Sequence, residues 1–255
     1  MRPRRSGRFF RLLLAGVTAG PVLGLAAGCG QAAGAPGPGG GQVAYSVRYD
    51  GPALVSADGR TITVGGFSAP CFGTVRPVAV ETAQRVEVWL RYVASRRHGV
   101  CNKDLAIILA REVRLPAPVG HRELVSGASG HPLPVFGAQN ALRPAVPPGY
   151  KLQYVSPVVS GFAPGSPAQA GCTQFYLSST AVLTIVQAQR RLVLPLASGQ
   201  RAVAIEVRGH RGQATVNAIT WREHGRYVLI TVSPNGPPRP VMSTRQLIAL
   251  ADSAD

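Results

Sequence analysis

Alternation over residues 85–92, of apolar side chains with side chains that are charged except for one tryptophan, constrains the fold of this chain more than any other feature. Val86, Val88, Leu90 and Tyr92 alternate with arginine, glutamate and tryptophan residues. A period of two residues places the apolar side chains on one face of an extended strand and the others on the opposite face. This segment therefore predicts a half-buried β-strand.

The surrounding residues 43–136 carry further strand signals and no strong amphipathic helix pattern. The β-branched run 61–64 follows a turn dipeptide, Asp58-Gly59, and predicts another strand. The apolar run 105–109 is typical of a buried strand, although a short helix fits it too. Glycine and proline together make up about a fifth of the chain, with 30 and 22 residues, which favours short strands and turns. We predict a small β-sandwich here.

Residues 137–149 contain three prolines and predict a linker to a second domain, residues 150–255. Apolar and β-branched runs in that domain predict strands. These runs are residues 175–177, 181–186, 191–194 and 203–207, followed by a hairpin within residues 220–230 that turns at a glycine.

The chain is predicted to close with one helix. Ser243 and Gln246 have the spacing of a capping box, in which each side chain meets an otherwise unpaired backbone N–H. Leu247, Leu250 and Ala251 then follow at the spacing of one helical face. Such a short helix is marginal alone, so we expect it to pack on a sheet. The predicted fold class is mainly β, with an α+β C-terminal part.

The first 28 residues have the features of an export signal. Five arginines precede the uncharged, mostly apolar stretch 12–27, which is short for a membrane span. The residues Leu25-Ala26-Ala27-Gly28-Cys29 resemble a bacterial lipobox, although that pattern usually has leucine where Ala26 stands. The resemblance implies cleavage before Cys29, acylation of its thiol and anchoring on the extracytoplasmic face of the cell membrane. An ordinary secretory signal, an uncleaved anchor and twin-arginine export are the alternatives.

Residues 29–42 are predicted to form a flexible tether behind the lipidated cysteine. Residues 31–42 carry no charge, five glycines and two prolines, a composition that cannot bury a core. No later stretch of the sequence is apolar for long enough to predict a second membrane span.

Three cysteines remain after Cys29. Cys71 and Cys101 fall in the same predicted domain, and an oxidising compartment favours a disulfide between them. His98 lies near Cys101, but no further ligand has metal-binding spacing, so no metal is predicted. Cys172 is interpreted as a small buried residue, with an intermolecular disulfide or a reactive thiol as alternatives.

The chain is strongly basic. It has 27 lysines and arginines, five of them before Cys29, against 11 acidic residues, so the cleaved chain carries a formal charge of +11. Arg96, Arg97, Arg208 and Arg211 belong to the densest clusters and are candidate anion-binding residues. An acidic envelope component or a membrane protein is the expected partner, besides the membrane itself. Nucleic acid is not expected, because aromatic residues do not alternate with the basic ones. A merely solvated arginine surface is the alternative.

No catalytic signature is present in the sequence. Ser129 is followed by Gly130 and His131, but the pattern lacks the glycine that completes a nucleophile elbow. A hydrolase using Cys172 or a serine–histidine pair stays open, since such groups assemble in space rather than in sequence. We expect no enzyme and no cofactor.

The C-terminal segment carries a tryptophan–glutamate–glycine–tyrosine hairpin followed by a capped helix. The residues concerned are Trp221, Glu223, Gly225, Tyr227, Leu247, Ala251 and Ser253. This pattern resembles the C-terminal part of domains of unknown function in bacterial envelope and anti-sigma-associated proteins. The whole chain resembles uncharacterised two-domain lipoproteins of high-GC actinobacteria. Neither resemblance implies a reaction or site residues.

These observations predict a lipid-anchored envelope protein that acts as a non-enzymatic interaction or sensor subunit. The first alternative is a module that binds a small molecule or a lipid. An exposed apolar patch would favour the former, and a large apolar cavity the latter.

Overall fold

A computed structural model describes residues 43–47, 49–68, 74–94, 107–157, 169–196, 199–235 and 241–255. All of them belong to one compact unit, Gly40–Asp255. The predicted class is confirmed, since strands dominate the described residues and their one α-helix lies at the C-terminus. None of the described helical segments is long and apolar enough to span a membrane.

Eight strands in the first part of the unit form two four-stranded sheets. In chain order they are β1 (Val43–Val47), β2 (Ala53–Val55), β3 (Thr61–Ser68), β4 (Thr74–Glu81), β5 (Arg85–Ala94), β6 (Ile107–Arg114), β7 (Glu123–Ser126) and β8 (Val135–Gly137). One sheet joins β1, β5 and β4, with β7 also paired to β5, and the other has the order β6-β3-β2-β8. The pairs β5–β7 and β2–β8 are parallel, and the other pairs are antiparallel.

The two sheets pack face to face, as the sandwich prediction requires. Val86 and Val88 of β5 are fully buried and belong to one apolar cluster with Ile62 and Val64 of β3. The alternation in the sequence therefore marks the inner face of a sheet. The apolar run that begins at residue 105 contributes β6, whose described part starts at Ile107.

Seven further strands form one antiparallel sheet. They are β9 (Lys151–Ser156), β10 (Gly171–Leu177), β11 (Ala181–Ala188), β12 (Val203–Val207), β13 (His210–Ala214), β14 (Ala218–Glu223) and β15 (Arg226–Pro234). Their order is β12-β13-β14-β15-β11-β10-β9. The predicted hairpin is confirmed: His224 and Gly225 both have positive φ between β14 and β15, the backbone that a two-residue type I′ turn requires.

The helix α1 (Thr244–Asp252) begins at the predicted capping box. The Gln246 N–H donates to the Ser243 hydroxyl oxygen, and the Ser243 N–H donates to the Gln246 side chain at 2.8 Å. Leu247, Leu250 and Ala251 are buried in the main cluster of the seven-stranded sheet, together with Trp221 of β14. The predicted helical face is therefore the one that packs on the sheet.

The strand expected at residues 191–194 is wrong. Leu192 and Leu194 are buried and their neighbours exposed, but the segment has no partner strand in the described residues. It crosses the face of the sheet opposite α1, where both leucines contact a second apolar cluster with Val186 and Leu229. Buried and exposed side chains can therefore alternate every two residues in an extended segment that pairs with no strand.

Residues 137–149, expected to form a linker, contain the last residue of β8, a single 3-10 turn at Ala138–Asn140 and the buried Leu142. Leu142 belongs to the same cluster as α1. The division of the chain at this segment into two domains stays a prediction.

Candidate functional site

A cleft of about 540 Å³ lies between the sandwich and one end of the seven-stranded sheet. One wall is the outer face of the β6-β3-β2-β8 sheet, and the other consists of β9 and β10. Its lining comprises Leu54, Ser56, Thr61, Thr63, Glu112, Ala138, Ala141, Arg143, Pro144, Leu152, Val155, Gln174 and Tyr176. Cavities of about 300–1,000 Å³ are typical of small-molecule sites.

The sandwich wall follows from strand register. Leu54, Thr63 and Glu112 are direct cross-strand partners on β2, β3 and β6, so their side chains share one face. The neighbouring Ile62 points the other way, into the sandwich core. Because side chains alternate along β3, Ile62 contributes to the sandwich core and Thr63 to the lining of the cleft.

The opposite wall depends on a β-bulge in β9. Tyr154 pairs with Phe175, whereas Leu152 pairs with the next residue, Tyr176, which leaves Gln153 as the extra residue. A regular strand would place Leu152 and Val155 on opposite faces, because their sequence separation is odd. The bulge restores both to the cleft face.

Two buried glutamines hold the segment that closes the cleft. The Gln174 amide donates to the Leu142 carbonyl at 2.7 Å, and the Gln187 side-chain oxygen accepts from the Leu142 N–H at 2.6 Å. The Gln187 amide also donates to the Asn140 carbonyl at 3.3 Å. Both backbone groups of Leu142 are thus satisfied by side chains of the sheet, which fixes this part of the cleft before any ligand enters.

Most of the exposed surface in the cleft is apolar, although seven of its thirteen lining residues have polar side chains. The Tyr176 hydroxyl donates to the Gln174 side-chain oxygen at 2.7 Å, and burial raises the pKa of Tyr176 above its ordinary value. Glu112 and Arg143 are exposed at the cleft, and neither forms an ion pair within the described residues. The site thus combines an apolar lining with hydroxyl groups and one charge of each sign.

Cys172 lies beneath the cleft, packed with Leu54 and Phe136. Its thiol is fully buried and lies 3.8 Å from the Gln187 side-chain oxygen. Burial raises the pKa of this thiol to about 12, although the positive charge of Arg226 opposes the rise. Reactive cysteines have the opposite character, a lowered pKa and some exposure.

Ser129 also lacks the surroundings of a nucleophile. Its hydroxyl donates to an Asp50 carboxylate oxygen at 2.7 Å, and His131 contacts it through the backbone N–H at 3.3 Å. In the part of the chain that the structure describes, no group of three or more histidine, cysteine, aspartate or glutamate side chains is placed to hold a metal.

The candidate arginines have different surroundings. Arg208 is occupied: its Nε donates to Glu223 Oε2 at 3.0 Å, and its Nη1 donates to the Ala251 and Ala254 carbonyls at the end of α1. Arg211 is exposed on β13 and stays a candidate anion-binding residue. Arg96 and Arg97 lie outside the described residues, as do Cys29, Cys71 and Cys101.

Comparison of the chain with models of protein families, with curated proteins and with solved structures finds no match. The resemblances inferred from the hairpin and from the lipobox therefore stay predictions. Sequence reasoning missed the cleft, since its walls come from strands whose pairing no local pattern reveals. The one local sign of the cleft was the pair of glutamines, Gln174 and Gln187, in otherwise apolar strands.

Proposed function

We propose that this chain is a non-enzymatic, lipid-anchored protein of the extracytoplasmic membrane face that binds a small amphipathic molecule in the cleft. The cleft itself carries the proposal. It has the size of a ligand site, a mainly apolar lining and a wall fixed by buried hydrogen bonds.

The ligand chemistry follows from the lining. Leu54, Leu152 and Val155 suit an apolar body, and the Thr63 hydroxyl suits a hydroxyl or carbonyl group. The Tyr176 hydroxyl donates its proton to Gln174 and therefore suits a ligand group that donates, such as a hydroxyl. A neutral or zwitterionic molecule fits best, because Glu112 and Arg143 supply one charge of each sign at the cleft.

Native mass spectrometry of the chain from Gly30 to Asp255, which contains the whole compact unit, tests the proposal. We expect extra mass in the native spectrum that vanishes on denaturation, or saturable binding of the apolar dye anilinonaphthalene sulfonate to the empty protein. The absence of both would contradict a ligand site.

Two leucine variants locate the binding. Leu152 lines the cleft and is 50% exposed, whereas Leu196 is 52% exposed and outside it. Leu152→Asp is expected to weaken binding of the dye or ligand at least tenfold, because it places a negative charge in the apolar lining and repels the sulfonate of the dye. Leu196→Asp is the matched control and is expected to bind like the wild type. Equal effects of the two substitutions would place the binding elsewhere.

The interaction subunit predicted from sequence is the second candidate, and the edge of the seven-stranded sheet favours it. Strand β9 is the last in the sheet order and, among the described residues, pairs only with β10. Tyr154 on β9 is 42% exposed. A free strand edge can accept a strand from a partner. A photocrosslinking residue at position 154 of the membrane-bound chain would then give one defined adduct, and the same residue at position 196 none. Identical patterns from both positions would contradict docking at this edge.

A further inference from the structure

The face of the seven-stranded sheet opposite α1 carries a basic pocket of about 230 Å³. Trp221 points to the side of the sheet that α1 covers. Its neighbours on β14, Thr220 and Arg222, therefore point to the other side. The register of β13 with β14 places Arg211 on that other side as well. Arg191 reaches the pocket from the segment that crosses the sheet, where the buried Leu192 anchors it. We call these three arginines and the space between them the arginine pocket.

The arginines are available to a ligand. All three are exposed, and none forms an ion pair with an acidic residue in the described part of the chain. The pocket lining contains no acidic side chain. Glu206 is the cross-strand partner of Arg211, but no nitrogen–oxygen distance of 4 Å or less joins them. Three positive charges therefore converge on one concave site that a single flanking carboxylate only partly offsets.

One wall of the pocket is ordered by an aromatic ring. The Arg222 guanidinium carbon lies 5.5 Å from the centre of the Tyr227 ring, which is its direct cross-strand partner. Stacking on the ring limits the conformations of Arg222 and leaves its N–H groups directed along the guanidinium plane. Gln213 adds an uncharged amide donor to the same lining, whereas the Thr220 hydroxyl already donates to the Val228 carbonyl at 2.7 Å.

We propose that the arginine pocket binds a phosphate group, as a phosphate monoester or phosphodiester. Guanidinium groups donate paired hydrogen bonds to phosphate oxygens, and several arginines around one site match the charge of phosphate better than that of a single carboxylate. The phosphate can belong to a soluble molecule or to a lipid headgroup. The inference does not depend on the cleft, which lies on the other face of the sheet.

The test compares two triple variants of the Gly30–Asp255 chain that lose the same charge. The pocket variant carries Arg191→Gln, Arg211→Gln and Arg222→Gln. The control carries Arg76→Gln, Arg201→Gln and Arg245→Gln, three exposed arginines elsewhere on the described surface. Circular dichroism and thermal unfolding establish that both variants fold.

Binding is measured to glycerol phosphate by titration calorimetry, and to phosphatidylglycerol vesicles by cosedimentation, with phosphatidylcholine vesicles as the blank. We expect the pocket variant to lose at least tenfold in affinity and the control to lose less than threefold. Pocket-dependent binding in the soluble assay identifies a soluble phosphate, and pocket-dependent binding to vesicles alone identifies a headgroup. Equal losses of affinity in the two variants would mean that net charge alone causes the effect, and would overturn the proposal. The absence of wild-type binding in both assays would overturn it too.

Discussion

Removing the Arg208 side chain should detach the end of α1 from the sheet. Arg208 bonds Glu223 at 3.0 Å and two carbonyls of the helix end, and its backbone N–H donates to an Asp252 carboxylate oxygen at 3.0 Å. Arg208→Met keeps an unbranched residue at this position of positive φ, so the turn itself is perturbed little. The substitution leaves the backbone bond in place and removes only the guanidinium contacts.

The expected loss of stability follows from how deeply the Arg208–Glu223 ion pair is buried. Glu223 is 8% exposed and the Arg208 side chain 23%. Breaking a fully buried ion pair from one side costs about 3–5 kcal/mol. The partial exposure of Arg208 reduces this cost, as does the bond that the Trp221 indole N–H still donates to Glu223 Oε2 at 2.9 Å. We therefore expect Arg208→Met to lower the free energy of unfolding by about 2–3 kcal/mol.

The assay is urea unfolding followed by tryptophan fluorescence. A double-mutant cycle with Glu223→Gln is expected to give a coupling energy of about 1–2 kcal/mol, since the two side chains are in direct contact. Arg211→Met is the control, because Arg211 lies on the same hairpin and has no side-chain partner among the described residues, and it should change stability by less than about 0.5 kcal/mol. A value within 0.5 kcal/mol of wild type for Arg208→Met would refute the idea that this arginine holds the helix.

Three other changes probe the cores. Leu247→Ala is expected to lower stability by about 3–5 kcal/mol in the same urea assay, because this fully buried side chain leaves a cavity between helix and sheet. Gly127→Ala should cost about 1–3 kcal/mol and alter Trp89 fluorescence, since an added Cβ would lie 2.0 Å from the indole nitrogen; an unchanged emission spectrum would contradict this clash. Burial raises the pKa of Tyr49 from 10.0 and that of Cys172 from 9.0, both to about 12. Both groups are held neutral in the folded state, so stability is full below pH 9 and falls between pH 9 and 12, by about 4 kcal/mol at pH 11. The fall should shrink in a variant with Tyr49→Phe and Cys172→Ala, and an equal fall in that variant would assign it to other groups.

Local patterns in the sequence predicted the elements whose cause is local. The alternation around Val88 and the capping box at Ser243 each depend on neighbours in sequence, and both are confirmed. Burial of Cys172 was also predicted as the plainest of three interpretations. The lipid on Cys29 and the disulfide between Cys71 and Cys101 stay predictions, because those residues lie outside the described ranges.

What the sequence could not provide is pairing between distant strands. The cleft needs β2 beside β8, a bulge at Gln153 and a leucine backbone held by two glutamines, and each of these depends on residues far apart in the chain. The arginine pocket likewise needs Arg191 to cross a sheet whose order is not sequential. Arg208 stood in the basic cluster of the sequence, but the fold turns it inward to the helix end.

The parallel pairing of β2 with β8 also bears on how fast the chain folds. Ala53 and Val135 are far apart in the chain, so a large loop must close before this contact contributes any energy. Sheet proteins dominated by such contacts fold in roughly milliseconds to seconds, far more slowly than helical bundles. Until β8 arrives, the edge of β2 stays open and can pair with a second unfolded chain. Because the chain is synthesised N-terminus first, residues 135–137 mark the point before which the sandwich is exposed to aggregation and to proteases.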